Sequence, residues 1–577
     1  MSSQPKRVTR GLARSVAGVG AGLAVVAAVS WPLVFSNAAF NNDWLNHLWY
    51  MWHQSVAIRE LGHPSLFLDY SGGVLYPLYA FYGGTLYALA GTLSLALGDA
   101  PLQAYVLTYL LGFAAAYGGW HWISRTFGVR GWLAHVPGLV FVTSASYLTM
   151  IYALGDWPEF IAVSMMPLMI AAGLSVLRAP RLQPLPATAL AASSVVFFGS
   201  HLLTVVWGSS ILAVVAAGLL VCAPDVRHAV TRSGVLRVLA LAVPALLVNA
   251  WFLLPAAAYE SHTLIAHAYP HFRRLLRQDM FTVAAPNLFT LSRAPASGSI
   301  VPLALPILAI AWVLASIALL AWTRRRGTGM RVLLLIAAAT AALTVVMTHA
   351  GLILALPRPF AMLQFSFRLE SFVLLGVSGA IVAVLAVARE ARSVRPWTWL
   401  LAPIAAVSLL GALEQTSAHP HGESRSAALA SFLNPLPERL GQLDYTDAQL
   451  HVDERPMPYV SFPLSEVTRK GRASVVVRVP PGRLLATNIR GGPELVDVTG
   501  ARIVGLDGLV DDVLEVAPPA AGTPRSRART ITISVAPANS FPVLAGRVLS
   551  LLALIVLALE LGAIAVRDLR HRRLAGS

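Results

Sequence analysis

VLYPLYAFYGGTLYALAGTLSLAL (Val74–Leu97) is the stretch whose reading decides the fold. It is long enough to cross a bilayer, which takes about 20 apolar residues. Yet it is dotted with Tyr76, Tyr79, Tyr82 and Tyr87, which favour the membrane–water interface, and with Pro77, Gly83 and Gly84, which admit irregular backbone there. Arginine arbitrates. Let the N-terminus, with Lys6, Arg7, Arg10 and Arg14, lie inside, and let this run not cross. Then the loops holding Arg125 and Arg130, Arg178 and Arg181, Arg227, Arg232 and Arg237, Arg324 to Arg326 with Arg331, and Arg389, Arg392 and Arg395 all fall on the cytoplasmic side, with the tail Arg567 to Arg573. If it did cross, every one of those clusters would move outside, against the positive-inside rule. The run is therefore expected to lie in, or dip into, the outer leaflet.

The other apolar runs lie near 15–35, 102–123, 131–153, 158–177, 186–201, 203–222, 234–256, 301–322, 331–355, 368–388, 397–413 and 542–566. They make this a polytopic α-helical membrane protein of about 12 transmembrane helices, both termini cytoplasmic. Composition agrees. The 577 residues are 56% hydrophobic and only 12% charged, where a soluble chain carries roughly a quarter; mean hydropathy is +0.66. The net charge of +16 is spread over loops and not gathered in a patch, so it does not indicate a nucleic-acid partner. The single cysteine, Cys222, excludes an intramolecular disulfide and is expected to be a small core residue and not a nucleophile. The first run exceeds a signal-peptide core and is read as an uncleaved span.

The same parity gathers the polar turns on the outer face: a long first loop (36–101), GDWPEF (155–160), the turn at His201, a loop of 257–300, PRPFAMLQFSF (357–367) and an insert of 414–540. The insert changes character. ASVVVRV (473–479) alternates with the period of a half-buried strand, and ARIVGL (501–506), DDVLEVA (511–517) and RTITISVA (529–536) follow between Gly- and Pro-rich turns. The expected organisation is a transmembrane domain over 1–413, a small extracytoplasmic β-sandwich over 414–540, and a final span with basic tail over 541–577.

Chemistry is expected on the outer face. In FNNDWLNHLWYMWHQ (Phe40–Gln54), Leu45, Leu48, Trp49, Trp52 and Val56 recur at helical spacing, while Asn46, His47, Tyr50, His53 and Gln54 fill the other side. That pattern suits an amphipathic helix lying on the membrane. Asp43 at its start is either a helix cap or an acid presented to a cavity. Asp156 and Glu159 of GDWPEF are open to the same two readings, with Pro158 suiting a first helical turn and a shared cavity as the alternative. In YESHTLIAHAYPHFRRLLRQDMF (Tyr259–Phe281), the spacing of Glu260, His262, His267 and His271 matches no regular zinc pattern. Arg273, Arg274 and Arg277 are outer-face cations suited to a lipid phosphate or to plain headgroup binding. Arg358 and Arg368 flank QFSF; Arg368 either pairs with Glu370 or, with the other arginines, meets charge on a leaving phosphate. His201 reads as an interfacial, hydrogen-bonded histidine or a weaker catalytic candidate. The acids and histidines leave a divalent cation, Mg or Mn, open as a cofactor. Walker A, GxSxG, HExxH and Cys-based metal patterns are all absent from the sequence.

Four stretches, NNDWLNHLWYMW, VLYPLYAFYGG, GDWPEFIAVSMMPLMI and LQFSFRLESF, together with a C-terminal β-region before AGRVLSLLALIVLALE (545–560), resemble the GT-C superfamily of integral membrane glycosyltransferases, in a bacterial branch with an outer β-domain. LQFSFRLESF is similar to a glutamine-phenylalanine-proline-tryptophan-arginine motif, with Ser366 and Phe367 in place of the proline and tryptophan. The resemblance implies transfer of a sugar from a polyprenyl-phosphate donor to an extracytoplasmic glycan, lipid or protein acceptor at the cell membrane, with inversion. It implies Asp43 as general base. The candidate substrate-binding residues are His47, Asp156, Glu159, His201, Glu260, His262, Arg273, Arg274, Arg277, Arg358 and Arg368. Two other readings compete: a flippase of lipid-linked glycans, which would carry polar residues at mid-membrane depth, and a non-catalytic relative that binds glycans through its β-domain.

Overall fold

The computed structural model describes residues 5–37, 43–70, 73–152, 154–260, 327–363, 366–390, 395–417, 424–427 and 529–576, with short stretches within 312–318 and 459–515. Helix α1 (Pro5–Phe35) leads into α2 (Trp44–Leu61), then a hairpin of β1 (Leu68–Tyr70) and β2 (Gly73–Tyr76), then α3 (Leu78–Phe81) and α4 (Gly84–Ala96). There follow α5 (Pro101–Thr126), α6 (Val136–Val142), α7 (Ala145–Tyr152), α8 (Trp157–Arg178), α9 (Pro184–Phe198), α10 (Leu202–Cys222), α11 (Pro224–Ala229), α12 (Arg232–Leu247) and α13 (Ala250–Tyr259). Beyond the loop come α14 (Thr328–Thr348), α15 (Ala350–Leu354), α16 (Arg358–Ala361), α17 (Glu370–Glu390), α18 (Arg395–Ser417) and, after the insert, α19 (Phe541–Gly576).

Among the described residues, five helices are long and apolar enough to cross a membrane, and seven if each of two bent pairs counts as one span. The pairs are residues 131–142 with α7, bent by 46°, and α12 with α13, bent by 66°. The protein is therefore a multi-pass membrane protein. The stretch Val74–Leu97 does not form a long helix. It breaks into β2, α3 and α4, and the 13 residues of α4 reach only about 20 Å at about 1.5 Å each, short of a hydrocarbon core of about 30 Å. Gly83, at φ +61°, makes the break, and a Cβ there would collide with the Ser200 carbonyl oxygen.

The arginine-rich turns meet one another. Arg389 donates to the Gly128 carbonyl, Arg237 to that of Ala179, and Arg178 to that of Thr126 at 3.5 Å, with its guanidinium 4.9 Å from the Phe127 ring centre. Four of the turns that parity placed on one side, those at 125–130, 178–181, 227–237 and 389–395, thus share one end of the bundle. GDWPEF, at the other end of α8, lies on the opposite side.

Helix α2 departs from the surface helix expected of it. Trp44, Leu48, Met51 and Val56 are buried, but so are His47, Tyr50, His53 and Gln54 on the polar side. Protein, not water, meets that polar face. Gln54 exchanges bonds with Ser65, donating to its carbonyl at 2.7 Å and accepting from its N–H at 3.1 Å. Tyr79 donates to the Tyr50 carbonyl at 2.7 Å, and His53 lies 3.8 Å from Asp69. Asp69 in turn accepts the N–H of Leu75 at 2.8 Å, which holds that residue at φ +57°, a left-handed conformation uncommon for leucine.

All four strands expected in the insert form: β4 (Ala473–Val479), β7 (Arg502–Gly505), β8 (Val513–Glu515) and β9 (Arg529–Pro537), with β3 (Tyr459–Val460), β5 (Leu484–Thr487) and β6 (Val496–Thr499) beside them. They make two sheets, ordered β3-β5-β8-β7 and β4-β9-β6. In the second, Ala473, Val475 and Val477 pair with Val535, Ile533 and Ile531. That face joins one apolar cluster with Phe67, Val74, Leu75 and Phe81 of the first loop and with Phe252 and Val543. A parallel bridge between Val74 and Ile489 joins hairpin and insert directly.

Candidate active site

The turn after α7 builds the site. Gly155 at φ +66° reverses the chain, and Asp156 caps α8 by accepting the Glu159 N–H at 3.4 Å, with Pro158 in the first turn. Trp157 is fully buried, its indole N–H donating to Thr108 Oγ1 at 2.9 Å. The capping reading of Asp156 therefore holds. It does not exhaust the residue, because the other carboxylate oxygen, Oδ2, points to Arg368.

Arg368, on a single 3-10 turn (Ser366–Leu369) before α17, ties three elements together. Its Nη2 lies 3.2 Å from Asp156 Oδ2, and its Nη1 lies 3.4 Å from Glu159 Oε2 and 2.9 Å from His201 Nε2. The pairing goes to these acids in place of the neighbouring Glu370. Arginine only donates, so His201 Nε2 accepts, and Nδ1–H must be the end that donates to Thr204 Oγ1, 2.7 Å away. The tautomer of His201 is thereby fixed. Gly83 allows α4 to approach this corner, where the Leu86 N–H bonds the Gly199 carbonyl at 3.0 Å.

His47 of α2 completes the corner. Its Nδ1 lies 2.6 Å from the Tyr87 hydroxyl, its ring stacks 5.9 Å from that of Tyr82, and its buried Nε2 has no hydrogen-bond partner among the described residues. Burial, offset in part by Asp156 and reinforced by Arg368, pulls its pKa to about 4. For His201, burial and then Arg368 lower the value to about 3. Burial pushes Asp156 up, but Arg368, then His201, the bond with Glu159 and His47 pull harder, leaving it at about 2. At neutral pH the corner thus holds neutral imidazoles and an ionised Asp156 facing a guanidinium.

Asp43 joins through the backbone. Its N–H bonds the carbonyl of Leu154, one residue before Gly155, at 3.3 Å, so NNDW and GDWPEF meet. Asp43 occupies the N-cap position of α2, its carbonyl accepting the His47 N–H at 3.1 Å, without a side-chain capping bond. Tyr105, whose hydroxyl bonds that of Tyr109 at 3.0 Å, is fully buried beside Trp157 of the same turn.

Of the sequence candidates, Asp43, His47, Asp156, Glu159, His201 and Arg368 come together. Arg358 and Glu260 pair with each other at 3.0 Å, half exposed, and form a separate contact. His262, Arg273, Arg274 and Arg277 lie outside the described residues. Tyr87 and Arg425 were missed. Arg425 donates to the Leu33 and Pro32 carbonyls at 2.8 and 2.7 Å, satisfying the C-terminal end of α1 with a cation. It sits inside the polar insert, where no local pattern marks it.

Among the described residues, a divalent cation has one candidate place. Asp156, Glu159 and His201 offer ligand atoms that all lie within 4.8 Å of one another. Two carboxylates and an imidazole suit Mg or Mn. As arranged they do not fit one, because Arg368 already engages all three.

No family model matches the chain, and no curated protein matches it. Among solved structures it is similar to arabinofuranosyltransferase AftD from Mycobacteria (18% identity, TM-score 0.40, 69% of this chain and 27% of that one). It is also similar to the oligosaccharyltransferase of Archaeoglobus fulgidus (12%, 0.41, 76% and 62%) and to ArnT from Cupriavidus metallidurans bound to undecaprenyl phosphate (14%, 0.30, 87% and 98%). The chain thus spans about a quarter of the length of AftD.

Proposed function

We propose that this protein is a GT-C-type membrane glycosyltransferase that moves a sugar from a polyprenyl-phosphate donor to an acceptor hydroxyl outside the cytoplasm. The observation that carries the reading is the junction of the two acidic motifs: the Asp43 N–H on the Leu154 carbonyl, beside the knot of Asp156, Glu159, His201 and Arg368. The backbone of Asp43 is thereby tied two residues before Asp156, which Arg368 engages.

In this reading Asp43 takes the proton of the acceptor hydroxyl as its oxygen bonds to the anomeric carbon. The bond from that carbon to the phosphate oxygen breaks on the opposite face, so the centre inverts and the lipid phosphate leaves with the electron pair. Arg368 supplies positive charge toward that leaving group. The site faces outward, both termini face the cytoplasm, and about 12 spans carry the chain, with the insert as a β-sandwich over the site. The paired charged groups sit at helix starts, Asp156 and Glu159 at that of α8 and Arg368 before α17, which favours an enzyme over a flippase needing polar residues at mid-depth.

The test is transfer from a radiolabelled polyprenyl-phosphate sugar in membranes. Asp43→Asn should lower transfer by about 10²–10⁴-fold with the fold retained. Full activity in this variant would remove Asp43 as the base. Glycan translocation without any transfer would favour the flippase.

A further inference from the structure

We infer that Arg368 stands where a divalent cation would otherwise bind, so that this chain works with a fixed guanidinium in place of a metal ion; the inference rests on reading this corner as the transfer site. Three donors from two separate elements converge, Asp156 and Glu159 at the start of α8 and His201 before α10, with ligand atoms within 4.8 Å of one another. Their number, chemistry and burial are those of a cation site. The centre belongs to Arg368, whose Nη atoms contact each donor at 2.9 to 3.4 Å.

His201 makes the two occupants mutually exclusive. Its Nδ1 is committed to Thr204, so Nε2 carries the ring's one lone pair, and Arg368 uses it. Asp156 is likewise engaged at both oxygens, Oδ1 by the Glu159 N–H and Oδ2 by Arg368. A cation entering here would have to displace the guanidinium and leave a permanently charged group, only 15% exposed, without these counter-charges. Mg²⁺ adds a further demand, since it keeps several waters in a near-ideal octahedron, whereas the carboxylates here are 7% and 4% exposed. The planar fork of Arg368 fits the planar, buried acids as they stand.

The consequence is a positive charge that is always present and independent of cation supply. The experiment uses full-length protein in nanodiscs, with Mn²⁺ binding followed by electron paramagnetic resonance. Wild type should take up no stoichiometric Mn²⁺. Arg368→Ala should gain one Mn²⁺, and Arg368→Ala with Asp156→Asn should lose it again. A wild-type Mn²⁺ site abolished by Asp156→Asn would overturn the inference, as would a folded Arg368→Ala protein that binds none. If Arg368→Ala does not fold, the wild-type comparison with Asp156→Asn decides alone. Binding is read without a sugar donor, so a protein that transfers nothing yet gains Mn²⁺ in Arg368→Ala would refute the transfer reading and leave this one standing. Where transfer is measured, chelation by EDTA should leave the wild-type rate unchanged, and a loss restored by Mg²⁺ or Mn²⁺ would count against the inference.

Discussion

Two arginines ten residues apart separate the value of burial from the value of contact. Arg358 meets Glu260 at 3.0 Å, and Arg368 meets Asp156 at 3.2 Å and Glu159 at 3.4 Å, so distance does not distinguish them. Exposure does. The first pair is 49% and 42% exposed, whereas Arg368 is 15% and its partners 7% and 4% exposed. At an effective dielectric of about 20, charges about 4 Å apart attract by about 4 kcal/mol, and water and salt reduce this for exposed groups. Removing Arg358 should therefore cost about 0–1 kcal/mol. Removing Arg368 strands two buried acids and should cost about 3–5 kcal/mol. Arg358→Gln and Arg368→Gln should be compared by SDS titration in mixed micelles, with near-UV circular dichroism as readout. Adding Asp156→Asn to Arg368→Gln should recover part of the loss, because one stranded charge then disappears. If Arg368→Gln is no more destabilising than Arg358→Gln, the knot is not a buried electrostatic unit.

Other consequences are as specific. His47 has a pKa of about 4 when folded against an ordinary 6.5, so between those values the unfolded chain binds a proton that the native protein refuses. Stability should be full above about pH 6.5; toward pH 4 His47 should take about 3 kcal/mol from it and His201, lowered to about 3, a similar amount, so His47→Gln should remove about half of that decline in thermal-unfolding scans. Asp156, with a folded value lowered from 3.8 to about 2, adds a further loss in the same direction below about pH 4. Asp69→Ala leaves the Leu75 N–H without its bond and should cost about 1–3 kcal/mol, visible as faster hydrogen exchange across residues 68–76. Gly83→Ala and Gly98→Ala both place a side chain at positive φ, but only the first drives a Cβ into Ser200. Each should lose about 1–2 kcal/mol for the backbone, and Gly83→Ala should lose more and also lower transfer by displacing His201.

What was legible in the sequence follows from what leaves a local trace. The interruption of Val74–Leu97 was visible because proline, paired glycines and tyrosines mark it within the run itself. The strand at 473–479 was visible because one face is covered and the other exposed, which writes an alternating pattern. The meeting of Asp43 with the 154–156 turn left no trace, since it rests on a backbone hydrogen bond between distant segments, which any residue type can make. Helix α2 was misread for a related reason. Periodicity separates a polar face from an apolar one, but it does not say whether protein or water satisfies the polar one. Arg425 shows the limit most sharply: its meaning comes from the carbonyls of α1, nearly four hundred residues earlier.

The buried polar face of α2 also explains how an outer loop can hold an acid in place. A helix resting on lipid headgroups is free to roll and slide, because its contacts are non-directional. Here the N-terminal end is fixed by the Asp43 N–H on Leu154. One turn on, His47 meets Tyr87; two further turns on, His53 and Gln54 meet Asp69 and Ser65. Directional bonds at successive turns of one helix fix both rotation and register. The hairpin that receives the last of them is itself held by Val74 and Leu75 against Ile533 and Val535 of the insert. The β-region is therefore continuous, through apolar packing and then hydrogen bonds, with the helix that begins at Asp43. Loosening that sheet should be felt at the acid.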